Sequence, residues 1–96
     1  RISGVKVITR NGKPVLRVLG TSDANDFKDA VIRLGQGTEP KKWLEVNRKI
    51  LKPVDAGVLI ELPASVFKGA RQWTIRLITR HKNGAEREAR FSLKLG

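Results

Sequence analysis

The sequence predicts an all-β fold, an antiparallel β-sandwich of about seven strands, with a small barrel as the structural alternative. Short runs of alternating apolar and polar residues recur every ten to fifteen residues, separated by Gly, Asn, Asp or Pro. Asn-Gly steps at Asn11-Gly12 and Asn83-Gly84 each follow an apolar run and precede another, which is the strongest short-range hairpin signal. Helical periodicity, by contrast, is hard to find anywhere in the chain.

Each element can be justified in turn. Val5 to Arg10, Asn11-Gly12 and Val15 to Leu19 form a hairpin with a two-residue type I′ turn, because Asn-Gly tolerates the left-handed conformation that turn requires. That turn sets Val7 opposite Leu16 and Val5 opposite Val18 on one face, with Ile8 opposite Val15 and Lys6 opposite Arg17 on the other. Thr21 to Asp26, mostly small or acidic, reads as a loop before a strand from Phe27 to Leu34, in which Ala30, Ile32 and Leu34 share a face. Gly35 and Gly37 close this strand, and Trp43 to Val46 is a short edge strand, since lysines precede it and basic edges resist unwanted pairing. Asn47 to Asp55 is a polar connection, and Val58 to Leu62, closed by Pro63, is the fifth strand.

The last hairpin discriminates between two registers. A two-residue Asn83-Gly84 loop sets Trp73, Ile75 and Leu77 against Lys94, Ser92 and Arg90, mixing apolar and polar groups on one face. A three-residue loop, Lys82-Asn83-Gly84, pairs Trp73 with Leu93, Ile75 with Phe91 and Leu77 with Ala89, with Gly84 in the left-handed position of a bulge. The second register is the one predicted. On its outer face Arg80 meets Glu86, whereas Arg76 meets Arg90, a like-charge pair that is mildly destabilising.

At 96 residues the chain suits a single domain, residues 1–96, with one two-layer core. It begins on Arg1 and ends on Gly96 directly after a strand-like run, and is expected to be a fragment of a larger protein. The absence of cysteine excludes disulfides, thiolate nucleophiles and cysteine-ligated zinc. No run approaches the roughly 20 apolar residues of a membrane span, so no transmembrane segment is expected here. The unusual bulk property is charge: 20 Lys and Arg against nine Asp and Glu, a net +11, enough to steer association with phosphate-rich or carboxylate-rich partners.

From Gly20 to Gly84 the chain carries a set of short structural motifs: the small-residue loop before Phe27, Leu34-Gly35-Gln36-Gly37, the Pro40 to Trp43 spacing, Val54 to Gly57 with Leu59, and Phe67-Lys68-Gly69 ahead of Trp73-Thr74-Ile75-Arg76-Leu77. In these it resembles the immunoglobulin-like or fibronectin type III-like modules of bacterial cell-envelope and secreted multidomain proteins, including relatives of penicillin-binding proteins. The resemblance implies an accessory, non-catalytic module outside the cytoplasm, in the periplasm, at the cell surface or secreted. In such modules a tyrosine is common where Trp73 stands, so the hydrogen bond of a tyrosine corner must be replaced or lost here.

Candidate sites are few. Catalysis needs convergent acids, bases or nucleophiles, and the single histidine, His81, has neither a cysteine nor an acidic neighbour in sequence, so no enzyme is expected. Asp23-Ala24-Asn25-Asp26 offers oxygen ligands but lacks the spacing of a calcium loop, and Asx-turn chemistry accounts for it, so neither metal nor cofactor is expected. Trp73 alternates with Ile75 and Leu77 and belongs to the core, while Trp43, beside Lys41 and Lys42, is the candidate aromatic contact. Arg76, Arg80, Arg90 and Lys94, with Lys82, are the candidate anion-binding or partner-binding cations, since like charges set opposite one another call for an offsetting anion.

Two functions follow as expectations. The first is a structural spacer or protein-interaction module, whose partners are other domains of its parent or an acidic protein. The second is a basic-surface module binding an anionic polymer, such as a cell-wall polymer, anionic lipid or nucleic acid, with steep salt dependence. A small-molecule substrate is not expected, and a sugar-binding reading would rest on Trp43 alone.

Overall fold

The computed structural model describes residues 1–95 as seven strands: β1 (Ile2–Arg10), β2 (Lys13–Ser22), β3 (Phe27–Gln36), β4 (Leu44–Glu45), β5 (Val54–Pro63), β6 (Gln72–His81) and β7 (Glu86–Lys94), with one 3₁₀ turn over Ala64–Val66. A three-stranded sheet of order β1-β2-β5 faces a four-stranded sheet of order β4-β3-β6-β7, every pairing antiparallel. This is the all-β, two-sheet sandwich that the alternation predicts.

Both hairpins take the predicted registers. In the first, Val5↔Val18, Lys6↔Arg17, Val7↔Leu16 and Ile8↔Val15 are partners, and Asn11 and Gly12 have φ of 52° and 76°, the left-handed pair of a type I′ turn. In the last, Trp73↔Leu93, Ile75↔Phe91, Leu77↔Ala89, Arg76↔Arg90 and Arg80↔Glu86 are partners, and Gly84 turns the three-residue loop at φ 90°.

The core is built from the inward rows of both sheets. Leu16 and Val18 of β2, Ala30, Ile32 and Leu34 of β3, Leu59, Ile60 and Leu62 of β5, and Trp73, Ile75 and Leu77 of β6 are all buried together. A register shift between Val18↔Ile60 and Leu19↔Val58 leaves Leu59 unpaired, so that two successive side chains, Leu59 and Ile60, reach the core. Phe67, on the crossing from β5 to β6, packs edge-on against Trp73 with ring centroids 5.3 Å apart. The indole Nε1–H of Trp73 donates to the Ala70 carbonyl at 3.1 Å.

Several expectations need adjustment. Thr21 and Ser22 are not loop but the end of β2: Ser22 is buried and shares a hydrogen bond with Thr79 Oγ1 at 2.7 Å across the two sheets. β5 begins at Val54, inside the stretch read as a connection, because Ser22↔Val54 and Gly20↔Gly57 extend its ladder past an irregular Ala56 at φ 48°. Val7 lies on the same side as Leu16 yet is 68% exposed, on β1, the edge strand of its sheet. β4 is an edge strand as predicted, but only Leu44 and Glu45 form its ladder.

Candidate interaction surface

The outer face of the four-stranded sheet carries the predicted aromatic and most of the predicted arginines. Gly35 and Pro40 fix the path that leads to Trp43: a Cβ on Gly35 would lie 2.3 Å from the Pro40 ring, so only glycine lets the proline close down there. The chain then pairs Leu44 with Leu34 and Glu45 with Arg33, which leaves the half-buried Trp43 over the sheet. The guanidinium carbons of Arg76 and Arg90 sit 5.5 and 5.3 Å from its ring centroid, within cation–π range.

The register aligns three arginines in one row across the sheet, Arg33, Arg76 and Arg90, a costly arrangement if left uncompensated. The chain supplies its own compensation. Glu88 accepts from Arg90 Nε at 2.9 Å and contacts Arg76 Nε closely, while Glu45 takes Arg33 at 3.1 Å. The offsetting anion anticipated for the Arg76 and Arg90 pair is therefore a residue two positions along the same strand face. Arg90, and then Arg76, hold the Glu88 carboxyl below the usual carboxylate range against its partial burial.

Arg80 is committed elsewhere. Its guanidinium makes a two-pronged bond to Asp29, 2.6 and 2.8 Å, and Asp29 is only 5% exposed. The hydrogen bond from Arg80 pulls the Asp29 carboxyl down, outweighing the upward push of burial, with Lys49 and Lys28 adding to the downward pull. On the other sheet, Glu61 accepts from Arg10 and Arg17 at 2.8–2.9 Å, and these bonds lower its pKa to about 2.

The five candidate cations thus divide. Arg76 and Arg90 meet at Trp43, Arg80 stands four residues along β6 with Asp29, Lys82 is in the β6–β7 loop at one end, and Lys94 is at the other end opposite Gln72. Sequence reasoning missed Asp29 and Glu88. Glu88 was findable, since it shares the outward face with Arg90 at a spacing of two. Asp29 was not, because its link to Arg80 requires knowing that β3 pairs with β6. At the Lys82 end, His81 Nδ1–H donates to the Asn25 carbonyl at 3.1 Å, beside a shallow hollow lined by Asp23, Asn25, Asp26 and Asn83. Among the described residues no three His, Asp or Glu side chains converge as a metal-binding set, and no helix is long and apolar enough to cross a membrane.

Compared with known proteins, the chain matches no family model, no curated protein and no solved structure.

Proposed function

We propose that this chain is a non-catalytic accessory module of a larger cell-envelope or secreted protein, acting as a structural spacer or protein-interaction domain of immunoglobulin-like or fibronectin type III-like kind. The observation that carries the reading is the path of the chain: it enters beside Thr21, where the Arg1 backbone nitrogen donates to the Thr21 carbonyl, and leaves beside Arg71, where Leu95 N–H bonds the Arg71 carbonyl. Thr21 lies where β2 finishes, next to the Ser22 that bonds Thr79 near the end of β6, and Arg71 lies where β6 begins, so these contacts are at opposite ends of the strands. Domains joined before and after such a module are held apart by its length. Strands of ten residues span about 33 Å, so the spacing is set by rigid sheet rather than by loops.

Two further features support the family reading. The strand order differs from the immunoglobulin constant arrangement only in the fourth strand, which joins the third rather than the fifth. The Trp73 to Ala70 bond stands where a tyrosine corner would. The outer-face arginines, engaged by Glu88, Asp29 and Trp43, then serve to stiffen the sheet.

The test is exchange within the parent protein. Replacing this module by an unrelated β-sandwich of the same end-to-end length should preserve the activity of the attached domains, while its deletion should abolish it. Full activity after deletion would overturn the spacer reading, and loss on exchange would identify specific docking by this module's own surface.

A further inference from the structure

A module that only sets reach needs no asymmetry of charge between its two ends, yet this one has it. Most arginines of the sheet faces are consumed: Arg10, Arg17, Arg33, Arg76, Arg80 and Arg90 all form ion pairs with Glu61, Glu45, Asp29 or Glu88. The end at which the chain leaves is different. Lys13, Lys41, Lys42, Lys68, Arg71 and Lys94 are all exposed there, and none takes part in an ion pair among the described residues. Among the described residues at this pole Glu39 is the one carboxylate outside the Glu61 cluster.

Backbone contacts hold these cations at one pole. Gln36 Nε2 donates to the Lys68 carbonyl at 3.1 Å, Gly37 N–H to Gln72 at 2.7 Å, and Leu95 N–H to Arg71 at 2.7 Å, while Gln72 and Lys94 are strand partners. Lys41 and Lys42 line a hollow with Gln36, and Lys13 begins β2 beside Val15, which pairs with Pro63 at the head of the same crossing. Among the described residues the opposite pole carries as many unpaired cations, Arg1, Lys28, Lys49, Lys52, Lys82 and Arg87, but mixes them with four carboxylates, Asp23, Asp26, Asp55 and Glu86.

We propose that this basic pole docks the domain end-on against an anionic lipid bilayer. Three observations favour a charged surface over a linear polyanion. The cations come from both sheets and the crossing between them, so they spread over the whole end of the sandwich. A plane meets all of them at once, whereas a strand of polymer passing over a convex end meets only those along its line. Five of the six are lysines, point charges without the planar fork that reads an individual phosphate. Among the described residues neither tryptophan is free to stack a base or a sugar, since Trp73 is buried and Trp43 lies against two arginines. A cluster of about four to eight Lys or Arg is enough to hold a segment at an anionic leaflet.

The experiment is co-sedimentation of the chain with mixed phosphatidylglycerol–phosphatidylcholine vesicles and with pure phosphatidylcholine vesicles, at about 0.1 M salt, where the Debye length is about 10 Å. Binding to the first and not the second is expected. The triple variant K41Q/K42Q/K68Q should lower partitioning about 100-fold, each lysine being worth about five-fold, while K28Q/K49Q/K82Q, with the same loss of charge at the other pole, should bind as the parent does. Far-UV circular dichroism confirms that both variants fold. Because the chain lacks cysteine, a dye on Ser65→Cys at the basic pole and on Asn83→Cys at the far pole reports orientation, and only the first should respond to the bilayer. Equal loss in the two triple variants, no binding to the anionic vesicles, or tighter binding to duplex DNA at equal phosphate concentration would each overturn the proposal, the last in favour of a linear polyanion.

Discussion

Trp73 shows how one residue joins sequence to fold. Its alternation with Ile75 and Leu77 places it in the core, and burial then obliges its indole N–H to find an acceptor, which Ala70 supplies three residues upstream. The same ring meets Phe67 in a T-shaped contact, so it pins the crossing between the two sheets. Trp73→Phe keeps most of the apolar contact but leaves the Ala70 carbonyl without its donor. We expect a loss of about 1–3 kcal/mol, from the missing bond and the smaller ring, seen as a lower urea midpoint with an unchanged slope. An unshifted midpoint would mean that the bond is worth nothing net. Such residues are legible from sequence because period and polarity agree. Ser22 and Thr79 are not: both look like surface hydroxyls, and only the meeting of two sheets, 57 residues apart in sequence, makes them a buried pair.

At the scale of the element, what could be read was whatever a turn and an alternation jointly specify. The Asn11-Gly12 and Gly84 turns fix the registers of both terminal hairpins, since a slip of one residue would expose an entire apolar row. The start of β5 was unreadable for the converse reason: Asp55, Ala56 and Gly57 carry no alternation, and their pairing to β2 is imposed by the neighbouring strand. Val7 is exposed for a different reason: alternation sets which way a side chain points but not whether anything covers it. The β4 strand makes the strongest case for long-range determination. Its ladder is two residues long, yet it sets Trp43 over Arg76 and Arg90, which come from the other end of the sequence. If the ring contributes as a cation–π partner to both guanidinium groups, Trp43→Ala should cost about 1–2 kcal/mol. A double-mutant cycle with Arg90→Ala should return a coupling of about 0.5–1 kcal/mol. Additivity within error would show that the indole and the arginine are merely adjacent.

For the molecule as a whole, net charge and internal pairing act together, and pH separates them. Asp29, Glu61 and Glu88 are each ionised partners of arginines in the folded state, and each has its carboxyl pKa lowered by those arginines. A carboxyl that is more acidic when folded than when unfolded contributes stability that is fully present above its unfolded pKa and is lost as pH falls through the folded one. For Glu61 that window runs from its ordinary 4.5 down to about 2. Protonation there also removes negative charge from a chain that already carries +11, so self-repulsion grows while the ion pairs fail. We therefore expect the thermal midpoint to be nearly constant above about pH 5 and to fall steeply between about pH 5 and 2, with added salt recovering part of the loss by screening. Glu61→Gln should be less stable than the parent at neutral pH and less sensitive to acid, because the group whose protonation matters has been removed while Arg10 and Arg17 remain. Thermal unfolding of the two proteins across this range, with and without salt, decides the matter. A parent midpoint that holds to pH 2, or a variant with the same acid slope, would show that these ion pairs contribute nothing net and that Glu61 does not hold the three-stranded sheet's outer face together.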